Sequence, residues 1–138
     1  MGPLHKTDAS ISFHGDDLDP AEITSALGAE PTVGVRKGGL WRTTSGVEKV
    51  AWQGSWRIEV PRCEPGDLDG QINDLLDRLS NDLPAWRLYS QRHRGRVFCG
   101  LFLASGNEGL TLRPETLVRV GERGLLIDLD IYGLDEPI

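Results

Sequence analysis

The chain is poor in cysteine, methionine and histidine, with two, one and three among 138 residues. Cys63 and Cys99 stand far apart and form no Cys-x-x-Cys pair, which excludes a zinc ribbon and a thioredoxin-type redox motif. Cys99 lies in the apolar run Val97-Phe98-Cys99-Gly100-Leu101 and reads as a core filler, since a free cysteine packs as a small hydrophobe. No apolar run approaches the ~20 residues of a bilayer span. Residues 1–8 hold one leucine and no apolar h-region, so no secretory leader is expected. With both thiols reduced, the expected compartment is the cytoplasm. Positive charge is also short. Fifteen Lys and Arg against 21 Asp and Glu give a net charge of −6, which argues against general binding to nucleic acid or anionic membranes.

Catalytic signatures are missing as well. There is no Gly-x-Ser-x-Gly elbow and no cysteine beside a histidine. His5, His14 and His93 are scattered; His14, which ends a strand beside Asp16 and Asp17, is the one histidine with a site reading. Asp16, Asp17 and Asp19 read as a helix start, because Pro20 and Ile23 break the alternation of a calcium loop. No catalytic residue, metal site or cofactor is expected.

What is abundant is glycine, 17 residues against a usual share of about 7%. Gly34, Gly38, Gly39, Gly46 and Gly54 crowd one segment. Residues 31–50 therefore read as a polar loop with at most a short strand near 40–44. Around it, residues 1–8 are expected as a flexible tail and 9–138 as one domain.

Alternation of Ala9, Ile11 and Phe13 with polar residues predicts a half-buried strand over 9–14. Asp19 as N-cap, Pro20 in the first turn and Gly28 at the end predict a short helix. Trp56, Ile58 and Val60 share one face of a strand from Gly54 to a stop at Pro61. Leu68, Ile72, Leu75, Leu76, Leu79 and Leu83 form one stripe of a helix over 67–83, with Pro84 read as its terminator. Strands are expected at 86–91 and 96–104, with Arg94-Gly95 as hairpin tip. A third helix opens at Pro114, with Leu117 and Val120 inward, and a strand follows over 125–132. From Gly54 onward this is β-α-β-β-α-β, a ferredoxin-like split β-α-β sandwich. The whole is read as α+β: about three helices on a mixed, mainly antiparallel sheet of five to six strands, extended by the N-terminal strand and helix. The 96–104 strand is apolar on both faces, which marks it as central. The 31–50 segment or a second copy of the chain, as a homodimer, is expected to cover its outer face.

Two constellations carry candidate sites. In the first, Arg36 and Lys37 sit in a glycine loop whose amides could cradle an anion, Trp41 and Trp52 could roof a pocket, and Asp128, Asp130 and Tyr132 share a strand face. The two carboxylates would lie about 7 Å apart there. In the second, Arg92, His93, Arg94 and Arg96, with Trp86 and Tyr89, form a basic, aromatic patch suited to an acidic protein partner or, less well on an acidic chain, to nucleic acid.

The segment from Phe13 to Lys37 resembles the opening of a bacterial family known as domain of unknown function 4279. The matching residues are Leu18-Asp19-Pro20, Glu22-Ile23-Thr24, Leu27-Gly28, Pro31-Thr32 and Lys37-Gly38. A Trp-rich strand like Trp52 to Ile58 and a final strand like Asp128-Leu129-Asp130-Ile131-Tyr132 extend the resemblance to about residues 11–132. It implies a single bacterial domain and brings no catalytic residues. The functional expectation is a non-catalytic binding or protein-interaction module of accessory or immunity type. The alternative is a small-molecule or anion-binding protein, even a small enzyme, using the 34–52 loop and the Asp128/Asp130 strand.

Overall fold

A computed structural model describes residues 2–134. The elements run β1 (Gly2–Pro3), β2 (Lys6–Gly15), α1 (Pro20–Leu27), β3 (Val33–Val35), β4 (Leu40–Arg42), β5 (Glu48–Val50) and β6 (Gly54–Glu59). They continue as α2 (Leu68–Asp77), α3 (Leu83–His93), β7 (Arg96–Phe102), β8 (Glu108–Gly109), α4 (Pro114–Glu122) and β9 (Leu126–Tyr132). This is an α+β protein with a five-stranded mixed sheet in the order β3-β6-β2-β7-β9. β2 pairs antiparallel with β6 on one side and β7 on the other, β3 lies antiparallel against β6, and β7 pairs in parallel with β9. β1 and β8 form a small parallel pair, and β4 and β5 a hairpin. No helix among the described residues is long and apolar enough to cross a membrane.

Period-two patterning sorts the sheet into two faces. Ala9, Ile11 and Phe13 of β2, Trp56 and Ile58 of β6, and Val97, Cys99 and Leu101 of β7 are buried in one core with residues from all four helices. Phe13 packs edge-on to Trp56 at 5.8 Å and against Trp86 at 6.2 Å between ring centroids. Burying each large side chain of this kind contributes about 1.5–3 kcal/mol. The indole N–H groups keep partners: Trp56 donates to the Thr24 hydroxyl at 3.0 Å and Trp86 to the Ser80 carbonyl at 2.6 Å. Helices on one face leave the other open. Ser10, Ser12 and His14 of β2, Arg57 and Glu59 of β6, Arg96 and Phe98 of β7 and Asp128 of β9 project there.

Local chemistry starts and stops the helices. Asp19 accepts from the Ala21 N–H, Asp67 from Gly70 and Asp82 from Ala85, each satisfying an orphan donor of a first turn. Gly28 closes α1 at φ 78°, a left-handed position that favours glycine.

Several expectations need correction. The 67–83 helix is two helices: α2 ends at Asp77, the Ser80 N–H turns back to the Leu27 carbonyl at 2.8 Å, and Asp82 caps α3. Pro84 therefore sits in a first turn, where its missing N–H costs nothing. Residues 86–91 are helical, with Trp86, Tyr89, Ser90 and His93 buried at helical spacing. The Arg94-Gly95 pair ends that helix rather than forming a hairpin tip. Among the described residues there are four helices, and the ferredoxin-like pattern from Gly54 lacks its second strand. The N-terminal strand does not extend the sheet; it is the sheet's centre. Residues 6–8, expected in a tail, begin β2, and 2–3 form β1. The 31–50 loop contains three strands. Leu117 is exposed, and Thr116 and Val120 are the buried residues of α4. On the outer apolar face of β7 three contacts lie within the chain. Arg96 lies over Phe98 at 5.0 Å, Arg62 over Phe102 at 4.3 Å, and Tyr132 stacks on Phe102 at 4.7 Å.

Candidate functional site

The open face is polar because its strands alternate and because its centre is fixed by register. Ser12 of β2 stands opposite Arg57 of β6 on one side and Arg96 of β7 on the other, and His14 stands opposite Ser55. Directly opposed residues have Cβ atoms about 5 Å apart. Two arginines thus flank the central strand, with His14 about 7 Å further along it.

Three hollows adjoin on this face. One of about 620 Å³ runs from Asp8 and Arg62 to His14 and Arg96. The second, about 320 Å³, lies under the 41–52 region and is lined by His14, Trp41, Trp52, Ser55, Arg57 and Arg96. The third, about 330 Å³, joins Trp52 to Arg94, Arg96 and Asp128. His14 and Arg96 line all three. The second hollow has two arginines and no carboxylate in its wall.

Hydrogen bonding across the face is uneven. Arg96 donates to Asp128 at 2.8 Å and to the Ser12 hydroxyl at 3.3 Å. Arg57 lies 3.6 Å from Glu59, and its buried Nε has no hydrogen-bond partner. Both ring nitrogens of His14 are buried without a partner. Burial pushes the His14 pKa down, and the charges of Arg96 and Arg57 push it the same way. The imidazole is therefore neutral at pH 7, with one donor and one acceptor unused. Unpartnered polar atoms of this kind cost free energy, and the two residues that carry them, His14 and Arg57, line the hollows.

The far end of the face is self-satisfied. Arg62 forks onto Asp8 with bonds of 2.9 and 2.8 Å. Tyr132 donates to Asp130 at 2.6 Å, and that bond raises the phenol pKa. Asp128 and Asp130 therefore have separate partners. Among the described residues no three His, Cys, Asp or Glu side chains are grouped to hold a metal. Cys99 is buried on the core side, where burial and then the charge of Asp128 push its thiol up to about 12; it is chemically quiet at neutral pH.

Of the first candidate set, the structure brings Trp41, Trp52 and Asp128 to the hollows around His14. Asp130 and Tyr132 lie on the same face at its far end. Arg36 and Lys37 line none of the three; they pair with Asp19 at 2.7 Å and Asp16 at 3.5 Å. The second set is not one patch. Arg92 pairs with Asp17 and Glu22, His93 is buried against Tyr89 with ring centroids 6.3 Å apart, and Arg94 and Arg96 turn to the hollows. Arg57 and Ser12 went unread as site residues. Their signal was their place on the outward face of strands whose neighbours the sequence order did not reveal.

Against known families, residues 5–134 match the model described as "Domain of unknown function (DUF4279)". The chain belongs to this family. The match spans every strand of the DUF4279 sheet and all the residues around the hollows. No curated protein and no solved structure matches the chain.

Proposed function

We propose that this DUF4279 domain is a non-catalytic binding module, bacterial and cytoplasmic, whose open sheet face takes a small anionic ligand. The observation that carries the reading is the second hollow. Arg57 and Arg96 reach it from opposite sides of β2 with no carboxylate in its wall, and His14, whose buried ring nitrogens are unpartnered, lines it beside them. Charged donors in a concave, partly desolvated setting favour an anion. Trp41 of β4 and Trp52, in the bend between β5 and β6, supply the apolar roof. The neutral imidazole lacks an adjoining nucleophile in hydrogen-bond contact, which is why binding is preferred over catalysis.

The test is thermal unfolding of the chain with a panel of small carboxylates, sulfates and phosphates. Ligand at about a hundred times its Kd adds about 2.7 kcal/mol, several degrees in Tm. The expected result is stabilisation by at least one anion that disappears in the double variant Arg57→Gln, Arg96→Gln. Equal stabilisation of the parent and the double variant would remove this face as the binding site.

A further inference from the structure

The second hollow carries more than a general preference for anions. Resting on the reading that this face binds an anion, we propose that the hollow takes a phosphate monoester carried on a flat ring, and that His14 gains a proton when the ester binds. Three donor-bearing side chains line the hollow from three neighbouring strands: Arg57 from β6, His14 from β2 and Arg96 from β7. Their register makes them a triangle about Ser12 rather than a line. A carboxylate offers two oxygens in one plane. A phosphate monoester offers three terminal oxygens in a fan and a charge of about −1.5 to −2 at neutral pH, which matches three spread donors.

His14 supplies the second half of the inference. Its charged surroundings are Arg57 and Glu59 on β6, 3.6 Å apart, Arg96 on β7, Asp128 on β9, held by Arg96 at 2.8 Å, and Arg94 at the rim. Asp16 follows His14 in the chain and pairs with Lys37. The 41–53 region contributes only uncharged groups, Trp41, Trp52 and Gln53. In the free protein burial, and then the two nearby cations, keep the ring neutral. A dianion among the three side chains cancels the charge of the two arginines and offers an acceptor to a second ring N–H. The imidazole then takes a proton from solvent, and no bond in the ligand is made or broken.

The ring follows from the roof. Trp52 is 79% exposed yet lines the second and third hollows. An indole held at the mouth of a polar cavity offers a flat apolar face, and aromatic rings gain about 0.5–1.5 kcal/mol from offset or edge contact beyond the area they bury. An ester whose phosphate lies among the arginines would place its ring under this indole.

Isothermal titration calorimetry of the full chain tests the proposal, with phenyl phosphate, adenosine monophosphate, inorganic phosphate and benzoate as ligands. Titrations run at pH 7 in two buffers of different ionisation heat. One or both esters should bind at least about tenfold more tightly than benzoate, a difference of about 1.4 kcal/mol. Binding should take up a fraction of a proton per site, read from the buffer dependence of the heat. His14→Gln should abolish that uptake. Trp52→Ala, a change at an exposed side chain that leaves the core intact, should weaken the esters but not inorganic phosphate. Tighter binding of the nucleotide would point to a nucleotide source, and tighter binding of phenyl phosphate to an aryl ester. Benzoate binding as tightly as the esters, or binding without proton uptake, overturns this inference and leaves an anion site standing. If none of the four binds, and the thermal panel also shows no anion effect dependent on Arg57 and Arg96, both readings fall.

Discussion

Arg94 ends α3 in the left-handed region, at φ 54° and ψ 55°, the one non-glycine residue with positive φ among those described. That conformation costs an L-residue about 1–2 kcal/mol. Glycine stands at the next position for another reason: a Cβ on Gly95 would meet the Ser90 hydroxyl at 2.6 Å and Leu125 at 2.9 Å. The helix thus spends its glycine on close packing and puts an arginine in the strained position. Arg94 also lines the third hollow, and strain of this kind is often kept where a side chain is used. Arg94→Gly should raise stability by about 0.5–1 kcal/mol, read from the midpoint of urea unfolding. An unchanged or lower midpoint would show that the Arg94 side chain offsets its backbone cost through contacts in the folded state. At this scale the sequence was informative where one residue type answers one local need. Asp19 as cap and Gly28 as helix end stand where they were expected. Arg94-Gly95 reads as a hairpin tip and is a helix end, because both ask for the same positive φ.

Among the elements, α3 shows why a correct principle can lead to the wrong element. Pro84 stops a helix that precedes it and suits a helix that begins at it; only the cap decides. Asp82 accepts from the Ala85 N–H at 3.2 Å, so the second role holds. The buried stripe of α3 includes Ser90 and His93, two polar residues that hide the helical period and leave Trp86 to Gln91 looking like an alternating strand. Ser90 is satisfied by the Arg123 carbonyl at 2.9 Å, a partner 33 positions away that no local pattern announces. Replacing Asp82 with Ala should cost about 1 kcal/mol, visible as a lower unfolding midpoint. Pro84→Ala should change it by less, since the proline satisfies no bond and breaks none. If Asp82→Ala were neutral, the start of α3 would have to be set by packing of Trp86 alone. The candidate site was half legible for a related reason. Trp41, Trp52 and Asp128 could be grouped by residue type, but Arg57 and Ser12 acquire meaning only when β6 and β7 are known to flank β2.

At the level of the whole molecule, the decisive fact is that the first long strand is the middle of the sheet. Ser12 and Arg96, in contact across β2 and β7, are 84 positions apart, so the open face exists only after most of the chain has folded. Contacts at such separation close large loops before they return any free energy, which slows folding. They also tie β2 to the global unfolding event, because it is paired along both edges. The β4 and β5 hairpin is the opposite case. Its strands are three residues each, almost wholly exposed, and bonded mainly to each other. Native-state hydrogen exchange should therefore show β2 and β7 amides opening only with global unfolding, while β4 and β5 amides exchange through local openings of much lower free energy. Equal protection of the two regions would mean that the hairpin is fixed to the sheet by more than its visible bonds. The expected contrast gives the molecule its working division. A rigid floor, set by long-range register, holds Arg57, His14 and Arg96 in fixed relation. Trp41 sits on this weakly anchored hairpin, so a ligand that gains from its indole should slow exchange in the hairpin and leave the floor unchanged.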